Sequence, residues 1–477
     1  MKTMPSRRRN AQVATSMLNA PSVRFRRKPS LPFILFCVFL IVLWLAGGAA
    51  RADVFGQVVV RLAATIFLFV IVLFGDQLTI ARSRSVWFLL FGAISLALIQ
   101  LIPLPPAVWQ VFPGRTMFAE ATLGHPQPWR PLALVPGTAI NALASLLVPL
   151  VTLILISSIR QDERVLLPGM ILLMVATANL LGLMQLSRVG FDNPFINESV
   201  GEMSGVFANR NHFALFLALG CLVVPVWVFG RGNRSRRRAV VGLGLVLLFL
   251  LTILASGSRA GLLLGVLALS GGMFVTRGSI RREFRRAPVW AFPVLMLAVV
   301  AIIATFVLIS IAADRAVSIQ RIVEINAEQD MRGRALPTVW AMTLSYFPLG
   351  AGLGSFDPMF RIHEPLALLK PTYFNHAHND LLEIVLDAGL PGLLLLVIAL
   401  AWWGWASIKA WRAGREAGSD PAAARIGSLM LLLIILASAF DYPARTPTMM
   451  MMIVVAALWL HGDEPVIHGP ALPAKER

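Results

Sequence analysis

Apolar runs of bilayer length recur from one end of this sequence to the other, and they constrain the fold more than any motif does. About 20 apolar residues cross the ~30 Å hydrocarbon layer as a helix, and within that layer a backbone must satisfy its own hydrogen bonds. Roughly twelve such segments are present, with approximate cores at 32–50, 57–75, 86–103, 140–158, 165–186, 212–230, 239–255, 260–276, 289–312, 389–409, 426–441 and 447–461. A chain of 477 residues that is 57% hydrophobic and 14% charged, with a mean hydropathy of +0.75, is not a soluble domain. The expected fold class is all-α: a polytopic membrane helix bundle of about 12 transmembrane helices, with a large helical loop between the ninth and tenth.

A net charge of +18 invites a nucleic-acid reading, but the basic residues sort by membrane side and not along one surface. With the N-terminus inside, Arg7 to Arg9, Arg24 to Lys28, Arg231 to Arg238, Arg277 to Arg286 and Lys409 to Arg425 all fall on the cytoplasmic face. About 28 of the 42 Lys and Arg then lie inside and about 13 outside. Both termini are expected in the cytoplasm, with membrane lipids and no nucleic acid as contacts. The first apolar run follows Arg26-Arg27-Lys28 and precedes Ala46 to Ala52, as a secretory signal would, but it is long enough to stay as a signal-anchor helix.

The chain therefore divides into a basic tail (1–31), membrane helices one to nine (32–312), an outer loop (313–388), helices ten to twelve (389–461) and a cytoplasmic tail (462–477). Cys37 and Cys221 fall in separate spans without ligand spacing, so neither a disulfide nor a metal site is expected of them. Met449 to Met452 reads as lipid-facing or packing surface. Trp109 and Trp129 in the loop 104–139 suit sugar stacking and an interfacial foot equally well.

Chemistry is expected in the stretch Asn375-His-Ala-His-Asn-Asp-Leu-Leu-Glu383. Histidine is the side chain whose ordinary pKa lets it act as base and acid near neutrality. Asp380 and Glu383 have capping-box spacing, which starts a helix at Asp380, ends it at Gly389 and fixes His378 just outside its N-terminus. The alternative is that His376 and His378 are ordinary polar residues of a surface loop. An HxH pair could also hold a divalent cation, but the sequence shows no acidic cluster beside it. A helix is expected around Arg334 to Trp340, and Pro348-Leu-Gly-Ala-Gly-Leu-Gly-Ser355 reads as a tight loop, since no strand precedes it.

A set of arginines lies at helix ends on the same side: Arg210, Arg259, Arg332 and Arg334. Arg259 sits in a very short turn, where its planar fork cannot easily reach bulk water and matches phosphate oxygens bidentately. Snorkelling anchors are the competing explanation.

Taken in order, these residues resemble a family. Gly205-Val-Phe-Ala-Asn-Arg-Asn-His-Phe-Ala214, Ser258-Arg259, Gly333-Arg334, Pro348-Leu-Gly-Ala-Gly352, His376-Ala-His-Asn379 with Glu383, and Gly389-Leu-Pro-Gly392 are similar to the O-antigen ligase and O-antigen polymerase superfamily of bacterial membrane glycosyltransferases. The resemblance implies transfer of a glycan from a polyprenyl (undecaprenyl) diphosphate carrier to an acceptor hydroxyl, on lipid A-core or a growing glycan. It places the protein in the bacterial inner membrane with its site facing the periplasm. It implies His378 as catalytic base, and Arg259, Arg334, Arg210, Arg332, His376 and Asn379 as substrate-binding residues. No cofactor and no metal are expected. A repeat-unit polymerase of the same family, and a transporter with an outward-facing anion site, are the alternatives.

Overall fold

The computed structural model describes residues 28–75, 83–186, 193–196, 202–229, 236–284, 290, 327–369, 374–413 and 422–462. The described chain is an α-helical bundle. Its apolar helices are α1 (Leu31–Ala46), α2 (Phe55–Phe74), α3 (Arg84–Ile99), α4 (Pro136–Ser145) running on into α5 (Leu147–Ser158), α6 (Leu167–Leu186), α7 (Arg210–Phe229), α8 (Arg236–Ala255) and α9 (Arg259–Phe284). They continue after the outer segment α10 (Ala327–Tyr346) and α11 (Phe356–His363) with α12 (Asp380–Arg412), α13 (Ala422–Ser438) and α14 (Pro447–His461). Among the described residues seven helices are long and apolar enough to cross a membrane, and four shorter ones are apolar along their length. The expected span 289–312 lies outside the described residues apart from residue 290. Strand, among those residues, is confined to a two-residue pairing of Pro103–Leu104 with Arg130–Pro131.

Helix α7 is the axis of the bundle, with every side from His212 to Pro225 buried. Its closest neighbour is α9, which approaches through small residues. A Cβ on Gly261 would stand 2.3 Å from the Ala214 Cβ, and one on Gly272 would stand 2.8 Å from the Leu222 carbonyl oxygen. Small residues at such a seam let backbones approach where the solvent is lipid and apolar burial drives nothing. Met449, Met451 and Met452 turn inward and are buried, so that run packs between helices and does not face lipid.

Contacts among loops sort them into two faces. At one face Ser30 donates through its N–H and hydroxyl to Glu163, and Arg160 donates to the Lys28 carbonyl. At the other, the segments around 48, 115–134, 193–196, 202–211, 256–259, 332–369, 374–387 and 439–446 meet one another. The second set is the one that the charge pattern assigns outside.

The outer segment has its own apolar core of Val339, Met342, Tyr346, Phe356, Met359, Phe360 and Leu386, with Phe374, Ala377 and Leu382 against it. Helix α10 is longer than the sequence suggests, running through Pro337 to Tyr346. The glycine turn 348–355 is a loop, as expected, and it docks on α12: Ala351 N–H donates to the Leu386 carbonyl and Gly352 N–H to the Asp387 carbonyl. The docking explains the break at Gly389, whose φ of 58° and ψ of −143° interrupt α12. A Cβ there would lie 2.1 Å from the Pro348 carbonyl oxygen, so only glycine fits. Trp109 is buried, with its indole N–H on the Pro128 carbonyl at 3.0 Å, which makes it a structural anchor; Trp129 is exposed.

Candidate functional site

Two helix N-termini point into one cavity. Asn209 accepts the Asn211 N–H at 2.8 Å and starts α7, while Ser258 accepts the Gly261 N–H at 3.0 Å and starts α9. The Ser258 hydroxyl also donates to Asn211 Oδ1 at 2.9 Å, tying the two starts together. Local sequence dictates this, because Asn and Ser satisfy the donors that a first helical turn leaves over. Backbone N–H groups and the helix dipoles then favour an anion in front of both ends.

The cavity there holds about 290 Å³ and is lined by Arg210, Asn211, His212, Arg259, Arg332 and Asp441, with apolar residues such as Leu264 and Phe440 completing the wall. Three of the four expected arginines are thus brought together. Arg210 is oriented by Glu202, Nη1 to Oε1 at 2.8 Å. Arg332 reaches Asp441 Oδ2 at 3.7 Å and the Phe440 carbonyl at 3.5 Å. Arg334 is placed differently: it donates to the Ala367 carbonyl at 3.1 Å and is not part of the cavity wall.

Asp441 links the cavity to the histidine loop. Its carboxylate accepts from Asn211 Nδ2 at 2.8 Å, from Asn209 Nδ2 at 3.3 Å and from the Tyr442 N–H at 3.0 Å. His378 Nδ1 stands 3.3 Å from its Oδ1 and His212 Nε2 at 3.5 Å. Burial pushes the Asp441 carboxyl up, but its bonds to His212 and His378 outweigh this and hold it well below the usual carboxylate range. An ionised Asp441 accepts a hydrogen bond from His378 Nδ1–H, which keeps that proton on Nδ1 and leaves Nε2 with the lone pair. Burial lowers the pKa of His378, and Asp441 opposes that by favouring the charged ring. His378 has a φ of 52°, a left-handed conformation uncommon for residues other than glycine and held only where surroundings over-determine it.

His376 is on a second carboxylate, its Nδ1 2.9 Å from Glu383 Oε1, while Glu383 Oε2 accepts the Ala377 N–H at 2.7 Å. The capping arrangement differs from the one spelled by the spacing. Asn379 is the N-cap, accepting the Leu382 N–H at 3.0 Å, so its side chain is spent on the helix start. Asp380 is the first helical residue and turns inward to Arg445, and Glu383 holds the histidine loop instead of reaching back along the helix. The Tyr442 ring sits among three imidazoles, with centroids 4.5 Å from His376, 4.9 Å from His378 and 5.0 Å from His212. Burial pushes its hydroxyl up to about 12, so it stays a phenol.

The sequence reading missed Asp441, Tyr442, Arg445 and the positions of His212 and Glu202. The available signal was that Asp-Tyr-Pro-Ala-Arg fills a short connection between apolar segments, on the same side as the histidines. An acidic cluster does exist near His376, formed by Asp380, Glu383 and Asp387, but Arg445 occupies its centre. Among the described residues no group of three His, Cys, Asp or Glu is placed to hold a metal ion.

Fold and site define a multi-pass helical membrane protein with an arginine-lined, histidine-flanked cavity at one face of its bundle. Residues 243–397 match the family model for O-antigen ligase. That match covers about a third of the chain and spans Arg259, Arg332, Arg334, His376 and His378, so over those residues the chain is similar to the O-antigen ligase family. The match ends before Asp441 and Arg445. A search of curated proteins finds no match.

Proposed function

We propose that the protein is an O-antigen ligase-like glycosyltransferase, moving a glycan from a polyprenyl (undecaprenyl) diphosphate to an acceptor hydroxyl on lipid A-core or a similar molecule. The observation that carries this reading is the convergence of Arg210, Arg259 and Arg332 with two helix N-termini on a cavity edged by Asp441, which in turn bears His378.

The chemistry follows from those groups. The acceptor hydroxyl attacks the anomeric carbon, its O–H proton passes to His378 Nε2, the new C–O bond forms and the bond to the diphosphate oxygen breaks. Charge developing on the departing diphosphate is met by the guanidinium groups and backbone N–H groups, an electrostatic stabilisation that needs no metal. A positioned base contributes ~10²–10⁴-fold to such a step. One direct displacement inverts the anomeric configuration. Arg334 belongs to a second line, fixing α10 to Ala367 so that Arg332 reaches the cavity.

The charge pattern puts this face outside the cytoplasmic membrane, with both termini inside. The reading counts the seven long and four shorter apolar helices as spans and takes the segment 289–312 as the twelfth. A transporter fits less well, because its ionisable residues and broken helices belong near the bilayer midplane, whereas these sit at one end of the bundle.

The test is transfer by purified protein in nanodiscs, with a polyprenyl-diphosphate-linked oligosaccharide as donor and lipid A-core and the donor itself as competing acceptors. Glycosylated lipid A-core of inverted configuration, lost in His378→Ala, is the expected result. Lengthened lipid-linked chains would make the protein a polymerase. A product that keeps the donor's configuration would overturn the single displacement.

A further inference from the structure

We propose that Arg445 is a positioning residue for this site, setting the geometry of the histidine loop through Glu383 without touching substrate. The inference rests on the glycosyl-transfer reading above.

Three carboxylates lie on one face of the first two turns of α12, at the i, i+3, i+7 spacing that aligns them. Each is buried: Asp380, Glu383 and Asp387 are 3%, 0% and 0% exposed. One guanidinium serves all three. Arg445 Nε donates to Asp380 Oδ1 at 3.1 Å, and Nη1 lies 3.2 Å from Glu383 Oε1 and 3.6 Å from Asp387 Oδ2. Ser438 and the Ala444 N–H complete Asp380, and the Gly354 N–H donates to Asp387. Three carboxyl groups buried this closely hold one arrangement only while the guanidinium stays between them.

From this clamp two bonds lead to the site. Glu383 Oε1 carries both Arg445 and His376 Nδ1, and Glu383 Oε2 holds the Ala377 N–H. Ala377 directly precedes His378, whose left-handed φ needs an outside constraint. On the other side Asn379 is fixed as the N-cap. The strained histidine is therefore pinned at both flanks, and one pin ends on Arg445. The same short connection supplies Asp441 and Tyr442, so Arg445 also anchors the strand of backbone that carries the His378 partner. Arg445 itself is absent from the cavity wall. A residue of this kind governs orientation and not affinity, and misplacement of a catalytic group by about 1 Å costs on the order of 10²-fold in rate.

The experiment compares wild type, Arg445→Met, Arg445→Lys and Glu383→Gln as purified full-length protein in nanodiscs. It measures kcat and KM for the polyprenyl-diphosphate donor, and the imidazole ¹⁵N signals of labelled histidine assigned with His376→Gln and His378→Gln. Expected are a ~10²-fold fall in kcat for Arg445→Met with KM for donor unchanged, and partial recovery in Arg445→Lys. The His376 and His378 signals should move in Arg445→Met and in Glu383→Gln, which keeps the shape of the side chain and its acceptor for Ala377. If Arg445→Met does not fold, Glu383→Gln carries the test alone. Unchanged kcat together with unmoved imidazole signals in a folded variant would overturn the proposal, as would a change confined to KM. Absence of transfer by wild type would refute the glycosyl-transfer reading, while the signals would still report on positioning.

Discussion

Replacing Asp441 by asparagine removes one charge and almost no volume, and the surroundings make the outcome calculable. Oδ1 faces His378 Nδ1 and the Tyr442 N–H; Oδ2 faces the amide nitrogens of Asn211 and Asn209. An asparagine presents one acceptor oxygen and one NH₂ group, so one of these pairs meets a donor with a donor. The asparagines cannot flip to resolve this, because Asn209 Oδ1 already accepts the Asn211 N–H and Asn211 Oδ1 the Ser258 hydroxyl. The Tyr442 N–H is equally fixed, so either orientation sets a donor against a donor: with the NH₂ in the Oδ1 place His378 is driven to carry its proton on Nε2 and cannot act as base, and with it in the Oδ2 place His378 loses the charge that holds its proton on Nδ1. Loss of a positioned base is worth ~10²–10⁴-fold, equivalent to ~2.7–5.4 kcal/mol of barrier. Donor affinity should hold or tighten, since the lost charge lies 3.7 Å from Arg332. The assay is kcat for transfer beside the dissociation constant for a non-transferable diphosphate lipid. In wild type, burial lowers the His378 pKa, so the acid limb of the rate profile should fall below the ordinary histidine value of ~6.5. Asp441 raises that pKa, so in the variant the acid limb of any residual activity should move to lower pH still. An Asp441→Asn enzyme within about threefold of wild type in kcat would refute the reasoning.

Arg259→Ala should weaken donor binding by ~10–100-fold, as for a lost hydrogen bond to a charged group, whereas Arg334→Ala, off the cavity wall, should change it far less; titration of the diphosphate lipid distinguishes them. Gly389→Ala puts a Cβ against the Pro348 carbonyl at a backbone conformation suited only to glycine. A destabilisation of about 1–3 kcal/mol or more should appear as a lower Tm in detergent, and an unchanged Tm would contradict the docking of the glycine turn. Chelation with EDTA should leave transfer undiminished; loss of activity restored by a divalent cation would mean the arginines do not suffice.

The sequence alone determined that this chain is a helical membrane protein and which loops share a face, because hydrocarbon solvent admits only self-satisfied helices and lysine and arginine counts follow the membrane's sides. It also carried His376, His378 and Arg259 as candidates, since a titratable or guanidinium group at an apolar boundary stands out by residue type. The arrangement around them came only with tertiary structure. Nothing local marks Asp441 as the partner of His378, 63 residues away, and capping spacing pointed Asp380 and Glu383 at their own helix until Arg445, 65 and 62 residues on, drew them inward. Arg334 and Arg332 look equivalent in sequence, two positions apart, yet helical rotation over two residues sends one to the cavity and the other to the Ala367 carbonyl. Hydrophobic periodicity encodes which stretches cross the bilayer, but a hydrogen bond between distant loops is decided by how whole helices pack, and α7 against α9 sets that here through glycines whose meaning appears only when the two helices touch.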